Sequence, residues 1–334
     1  MKNILITAVA ALMMIVTGCQ KTIDEFSQEE VSLPDVLWVD QTDSTTEAAR
    51  MFNTMQPSIL THDLAYDGED DMRAEINENI EIEIPARAFE MNGSLVLRLN
   101  IKLEILILLK KGEWIRAGKT TAANNGRLLE SHGIILARAW YNNTPIHIRQ
   151  GIYLKFRYRY AGANADMKYY IPGLNDAFVP PFHFNWMPSE LGKVTVVEIP
   201  RTSNTDPAKT GYMVESKRLG WMAVAKPAKV PERSAIVTVS LPNGFQNRNT
   251  QIYLLFMKHA SLVSLHPDAN NRLWYRRMVP VETPFMVVTI TRHEGRYFLG
   301  LARTTENGIN ENKHFSIIPK QVSRDELLKF LNNL

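Results

Sequence analysis

Cysteine is nearly absent from this chain: of 334 residues, only Cys19 carries a thiol. One thiol excludes an intrachain disulfide framework and a cysteine-rich metal centre. Histidine is sparse as well. The eight histidines, at 62, 132, 147, 183, 259, 266, 293 and 314, include no i, i+4 pair and no His-Glu-x-x-His. A helical zinc site needs two imidazoles on one face, and the sequence does not supply them. The Gly-x-Ser-x-Gly turn that exposes a serine nucleophile is missing too. The expectation is a protein that is not an enzyme and has no metal or cofactor. Past the first twenty residues, no apolar run is long enough to cross a bilayer as a helix, which takes about 20 residues. The run 101–109 is interrupted by Lys102 and Glu104 and ends at Lys110-Lys111. Low-complexity segments and exact internal repeats are lacking.

What is present begins at the N-terminus. Lys2 precedes thirteen residues, 4–16, that are apolar except for Thr7. That length suits the core of a signal peptide. The run ends in Val16-Thr17-Gly18-Cys19, which resembles the bacterial lipobox. The resemblance implies a signal peptide over 1–18, a diacylglycerol on the Cys19 sulfur, and cleavage just before it. Several acyl chains on one N-terminus suffice for stable anchoring. The next residues, Gln20-Lys21-Thr22-Ile23-Asp24-Glu25, are similar to the surface-export signal of Bacteroidetes lipoproteins, in which a Lys or Ser precedes an acidic run. Here Thr22-Ile23 interrupts it. The expected address is the outer membrane, lipid-anchored, at the cell surface.

The formal net charge of +3 conceals an asymmetry. Residues 20–83 hold 17 acidic and 3 basic side chains, and residues 84–334 hold 34 basic and 18 acidic ones. An acidic arm on a basic body is expected. The body then suits an anionic glycan, lipopolysaccharide or an outer-membrane protein as partner, or its charge serves solubility alone. Nucleic acid is not expected behind an export signal.

Periodicity predicts an all-β protein of two β-sandwich-like domains, with a short N-terminal helix and a C-terminal helix. Residues 19–75 read as an acidic tether carrying one helix at 44–56, begun by the capping box Ser44-Thr45-Thr46-Glu47 and stopped by Pro57. Strict alternation of apolar and charged residues over 80–84, 97–105 and 152–160 marks half-buried strands. With 134–141 they form a first sandwich over 76–165. The Pro- and aromatic-rich stretch within 166–193 reads as a linker. Short runs at regular intervals from 194 to 318 form a second β domain, 194–334. Ser323-Arg324-Asp325-Glu326 is a second capping box, opening the C-terminal helix.

Ile84-Pro85-Ala86-Arg87-Ala88-Phe89, Gly118 with Thr121, and Leu129-Glu130-Ser131-His132-Gly133 follow an "IPA.AF … G..T … LE.S.G" order. Leu219-Gly220-Trp221, Phe245 with Asn249-Thr250, and Tyr297-Phe298-Leu299-Gly300 continue it. This order resembles Bacteroidetes-type surface lipoproteins with ZU5-like β-sandwich modules. The Cys-Asp pair that often follows Gly-Trp in that family is replaced here by Met222-Ala223. The resemblance implies architecture and address, with no catalytic residues.

Several local features are candidates for chemistry. Gly112 to Thr120 resembles a phosphate-binding loop, but five residues separate Gly112 from Gly118 where the loop needs four. A turn with positive φ at Gly118 is expected instead. Asp67, Glu69 and Asp71 form an acidic loop, read as solvated or as calcium ligands. Phe182, His183 and Trp186 are either a sugar-stacking platform or an interdomain plug. On the first reading, alanine at Phe182 and Trp186 removes ligand and leaves the fold intact. Lys155, Arg157 and Arg159 stand on one strand face about 7 Å apart. They either meet an anionic glycan or protect a sheet edge. The function expected is a lipid-anchored binding or interaction protein. A structural accessory subunit of an outer-membrane assembly or transport complex, and a secreted hydrolase with a site assembled from distant residues, are the alternatives.

Overall fold

The strand predicted from its alternation runs Leu99–Leu108, and its side chains enter two different cores. Ile101, Leu103 and Ile105 face one of them. On the opposite face Asn100 and Lys102 are exposed and Glu104 is half-buried, and then Leu106 and Leu108 become buried in a second core. One face of one strand thus changes from wet to dry along its length, which shows how the molecule is layered.

The structure, a computed structural model, describes residues 37–39, 45–173, 185–199 and 209–334. The chain begins with helix α1 (Glu47–Met55), followed by strands β1 (Leu60–Tyr66), β2 (Met72–Asn77), β3 (Ile80–Ile84), β4 (Phe89–Met91), β5 (Ser94–Leu95) and β6 (Leu99–Leu108). After helix α2 (Lys111–Arg116) come β7 (Ala122–Ala123), β8 (Leu129–Tyr141), β9 (Thr144–Ile148), β10 (Leu154–Arg159), β11 (Lys168–Pro172), β12 (Asn185–Pro188), β13 (Gly192–Ile199), β14 (Lys209–Ser216) and β15 (Gly220–Pro227). The last set is β16 (Ser234–Ser240), β17 (Thr250–Phe256), β18 (Ser261–Ser264), β19 (His266–Asp268), β20 (Leu273–Pro280), β21 (Phe285–His293), β22 (Arg296–Arg303), β23 (Lys313–Ser316) and β24 (Lys320–Val322), closed by helix α3 (Arg324–Asn332).

The described strands form four sheets. A ten-stranded sheet runs β5-β4-β9-β8-β15-β11-β12-β7, with β6 paired to β8 and β1 to β6. It packs on the five-stranded sheet β13-β14-β10-β3-β2 across a core that includes Ile82, Phe156, Tyr212 and Met222. The four-stranded sheet β19-β20-β16-β23 packs on the five-stranded sheet β18-β17-β21-β22-β24 around Trp274, Val237, Leu254 and Val287. These are two β-sandwiches, and the fold is all-β with three helices among the described residues. A third core lies between them. Ile134, Leu136, Ala223 and Ala225 of the ten-stranded sheet meet Tyr253, Leu255, Met286 and Val288, with α1, α2 and α3 set into the same layer. Where they meet, the two middle sheets are therefore buried on both faces, which is why β17 and β21 are nearly continuous apolar runs.

Several expectations are corrected by this layering. The boundary expected at 166–193 falls inside the first sandwich, because β11 pairs with both β12 and β15 in the ten-stranded sheet. The change of sandwich lies between Pro227 and Ser234. The expected tether also ends earlier. α1 is docked in the central core, and β1 and β2 belong to the first sandwich. The N-cap of α1 is Thr46, whose side chain accepts from Ala49 N, so Glu47 opens the helix and its carboxylate pairs with Arg292 instead of closing a box. At the C-terminus the capping box of Ser323 and Glu326 is present. Asn142 and Asn143, both at positive φ, turn β8 into β9, and His147 on β9 is exposed as expected.

Part of the motif order, Thr121 and Leu129-Glu130-Ser131, has structural tasks at the seam between the sandwiches. Ser131 N donates to Ala260 O (2.9 Å), and Ser261 Oγ donates to Leu129 O (2.7 Å). Glu130 meets His259 Nδ1 at 2.6 Å and Lys226 Nζ at 3.7 Å. A Cβ on Gly133 would stand 2.6 Å from the buried Tyr158 hydroxyl, so glycine is needed for space. Thr121 completes the seam, donating its N–H to Leu262 O (2.7 Å) while its Oγ1 accepts from Leu262 N (2.9 Å).

Candidate functional site

The outer face of the four-stranded sheet holds a cleft of about 540 Å³. Alternation along β16 sends Val237 and Val239 inward and leaves Ile236, Thr238 and Ser240 on this face. Thr238 sits opposite Tyr275 on β20 and opposite His314 on β23. His314 is fixed by two hydroxyls, Thr238 Oγ1 at 2.9 Å from Nδ1 and Ser240 Oγ at 3.0 Å from Nε2.

A β-bulge shapes the floor. Ala235 pairs with Val279 and Val237 with Arg276, so one residue of β16 faces both Arg277 and Met278. Met278 takes a φ of 59°, which a non-glycine residue adopts at a cost of about 1–3 kcal/mol. The bulge re-aims the strand so that Arg277 and Met278 both point outward. The Arg277 guanidinium lies 5.7 Å from the Tyr275 ring centre. Among the described residues no carboxylate lies within 4 Å of it. Asp268, the acid lining the cleft, is occupied: Oδ1 accepts from Asn271 N and Oδ2 from Asn271 Nδ2, which hold its carboxyl below the usual range. Beneath the floor Arg276 is buried against His266 and the Gly126 carbonyl, and burial lowers its pKa to about 10. It remains a cation at neutral pH, so two consecutive positive charges underlie the cleft.

The wall comes from the N-terminal side. Trp38 packs on Trp274 at 4.6 Å between ring centres. Asn247, buried, accepts from Val39 N with Oδ1 (3.1 Å) and donates to Val39 O with Nδ2. Val39 thereby lines the cleft. The result is the Tyr275 ring, a guanidinium without a carboxylate partner among the described residues and the fixed Thr238 hydroxyl facing one space, a combination suited to holding a saccharide that bears a carboxylate or phosphate.

The residues predicted from sequence lie elsewhere. Trp186 on β12 is 1% exposed in the central core, and its Nε1 donates to Thr120 O at 2.7 Å. It fills the interior and does not face ligand. Phe182 and His183 lie outside the described residues, as does Cys19. Lys155, Arg157 and Arg159 lie on β10, the middle strand of its sheet, so edge protection is not their task. Glutamates of β3 neutralise the first two: Lys155 meets Glu83, and Arg157 meets Glu81 at 2.7 Å and Glu83 at 3.1 Å. The acidic loop is used internally as well. Asp71 accepts from Ala86 N, Asp67 from Glu69 N, and Glu69 pairs with Arg98. The phosphate-loop lookalike begins as helix α2, and Gly118 does have positive φ. Tyr275 and Arg277 do not stand out in the sequence because β20 mixes two faces at its bulge. The available signal was the Trp274-Tyr275 pair followed by two arginines.

The charge lattice on β10 has a pH consequence. The Glu83 carboxyl is held below its ordinary value of 4.5, first by its hydrogen bond from Lys155 and then by the charges of Lys155, Arg157 and Arg73. A depressed carboxyl stabilises the fold above its unfolded pKa, and that contribution is lost as pH falls through the folded value. Thermal melts of Glu83→Gln are expected to start below wild type at pH 7 and to converge with it as the pH falls below 4.5.

No protein-family model matches the chain, and no curated protein matches it either.

Proposed function

We propose that this chain is a non-enzymatic binding protein, anchored by lipid at Cys19 in the outer membrane and displayed at the cell surface. Its bulged cleft takes an acidic saccharide, such as the charged inner part of lipopolysaccharide. The lipobox-like Val16-Thr17-Gly18-Cys19 and the acidic residues after it support the address. The motif order from Ile84 to Gly300 supports kinship with Bacteroidetes-type surface lipoproteins carrying ZU5-like modules. The single observation behind the ligand class is the Arg277 guanidinium, presented beside Tyr275 without a carboxylate partner among the described residues. A guanidinium in a cleft donates charge-assisted hydrogen bonds to a carboxylate or phosphate.

The test uses the full chain produced in a bacterial host. Wild type incorporates labelled palmitate, and Cys19→Ala does not. The detergent-extracted protein binds immobilised lipopolysaccharide, and Arg277→Ala and Tyr275→Ala each weaken binding about tenfold or more, since a hydrogen bond to a charged group is worth about 1.5–3 kcal/mol. Undiminished binding by Arg277→Ala removes the cleft from the reading, and undiminished labelling of Cys19→Ala removes the anchor.

A further inference from the structure

A second cleft, of about 410 Å³, lies on the first sandwich. It sits on the wet half of the β6 face described above. Here cross-strand pairing sets Asp63 of β1, Lys102 of β6 and Trp140 of β8 in one row. Glu104 and Arg138 stand opposite each other in the next row. Trp140 is half-buried, and its Nε1 donates to Glu104 Oε2 at 3.0 Å. Glu104 is held in turn by Lys102 and Arg138, each at 3.7 Å. The indole is therefore fixed in orientation by a carboxylate that is itself braced on both sides.

Around this ring stand groups with unused hydrogen-bonding capacity. Asn142 and Asn143 reach the cleft from the β8–β9 turn, where their φ values are 47° and 62°. Asn100 and Asp63 reach it from β6 and β1. Among the described residues, none of these four side chains has a hydrogen-bond or ion-pair partner. Left to stability alone, a sheet face of this kind pairs its charges across strands, as β3 and β10 do with Glu83 and Lys155. Here three carboxamides and one carboxylate line the same cleft as the indole and have no partner among the described residues. The formal charges at the site cancel, with Asp63 and Glu104 against Lys102 and Arg138.

We infer that this cleft is a binding site for an uncharged saccharide, separate from the cationic cleft of the second sandwich. The apolar C–H face of a sugar ring lies on the Trp140 indole, and its hydroxyls exchange hydrogen bonds with Asp63, Asn100, Asn142 and Asn143. Both donors and acceptors are required by hydroxyl groups, and carboxamides supply both. The balanced charge gives an anion no net attraction, because Lys102 and Arg138, the cations that could meet it, are already engaged by Glu104. Only the general binding character is shared with the function proposed above. Cys19 and Arg277 take no part in this site.

The experiment is calorimetric titration of the full chain in detergent with three neutral probes: maltohexaose, cellohexaose and a mannan oligosaccharide. At least one is expected to bind saturably, with competition by charged oligosaccharide absent. Trp140→Ala is expected to weaken that binding by about tenfold or more. Asp63→Ala and Asn100→Ala, at exposed strand positions with no side-chain partner among the described residues, are expected to weaken it several-fold with an unchanged melting temperature. The double variant Tyr275→Ala, Arg277→Ala leaves it intact. Absence of binding by all three probes up to about 10 mM overturns the inference, since that limit corresponds to under about 3 kcal/mol of affinity. Binding that survives both Trp140→Ala and Asp63→Ala overturns it as well. Loss of lipopolysaccharide binding in the Arg277 variant, with neutral-sugar binding retained, shows that the two sites are separate.

Discussion

Trp186→Ala is expected to destabilise the protein by about 3–5 kcal/mol, the range for truncating a large buried aromatic. Trp186 is 1% exposed, lies in the core shared by both sandwiches, and donates its indole N–H to Thr120 O. Alanine leaves a cavity and removes that hydrogen bond, worth about 0.5–1.5 kcal/mol net. β12 is also tied to β7 through Trp186↔Ala123, so loosening spreads into the segment that carries Thr121 to the second sandwich. Chemical denaturation is the measurement. A midpoint within error of wild type, with ligand binding lost, would restore the exposed-platform reading of this residue. The expected pattern is the reverse: lower stability, and unchanged saccharide binding in whatever fraction remains folded.

Gly112→Ala is the second large effect. In an isolated helix the exchange is favourable by about 1 kcal/mol, so the intrinsic preference of α2 works against the prediction. Packing overrides it. A Cβ at position 112 would stand 1.7 Å from the Leu331 carbonyl oxygen and 2.5 Å from its carbon. Both are backbone atoms of α3, so no rotamer change relieves the overlap. The helices must separate by more than 1 Å, pulling Leu327 and Leu331 from the central core where both are fully buried. Overpacking of this kind costs about 1–3 kcal/mol when side chains can adjust, and the upper end or beyond is expected here. Hydrogen exchange should report the damage locally, with amides of Arg324–Asn332 losing protection before those of β21. A variant as stable as wild type would show that α2 and α3 do not meet as closely as described.

The glycine also explains how the sequence misleads. Gly112 and Gly118-Lys119-Thr120 resemble a phosphate loop because both structures need glycine where backbones approach closely. In this chain the approaching backbone is α3, and Gly118 supplies the turn that ends α2. The spacing was sufficient to exclude phosphate, but nothing local named α3 as the neighbour, because that contact spans more than two hundred residues. The same limit explains the misplaced boundary. β11 and β12 look like a Pro- and aromatic-rich linker because their partners, β15 and β7, are remote in sequence. Strands with a single buried face were legible: β3, β10 and the first part of β6, up to Ile105, alternate as their burial does. β1 carried the same signal in Leu60, Leu64 and Tyr66, hidden by the acidic composition around it. The basic residues of β10 were correctly placed on one face, but their glutamate partners on β3 fix their meaning. The cleft at Tyr275 and Arg277 was not legible because a bulge sends two successive residues to the same side.

The core between the sandwiches limits modularity. Each middle sheet has an apolar face that only the other half covers, and residues Asp35–Leu334 pack as one compact unit. Severing the chain between Pro227 and Ser234 would give two fragments, each with a broad hydrophobic face turned to water. Neither half is a portable domain in the genetic sense. Recombination or truncation at that junction is expected to give aggregation, and the two sandwiches must be inherited and folded together.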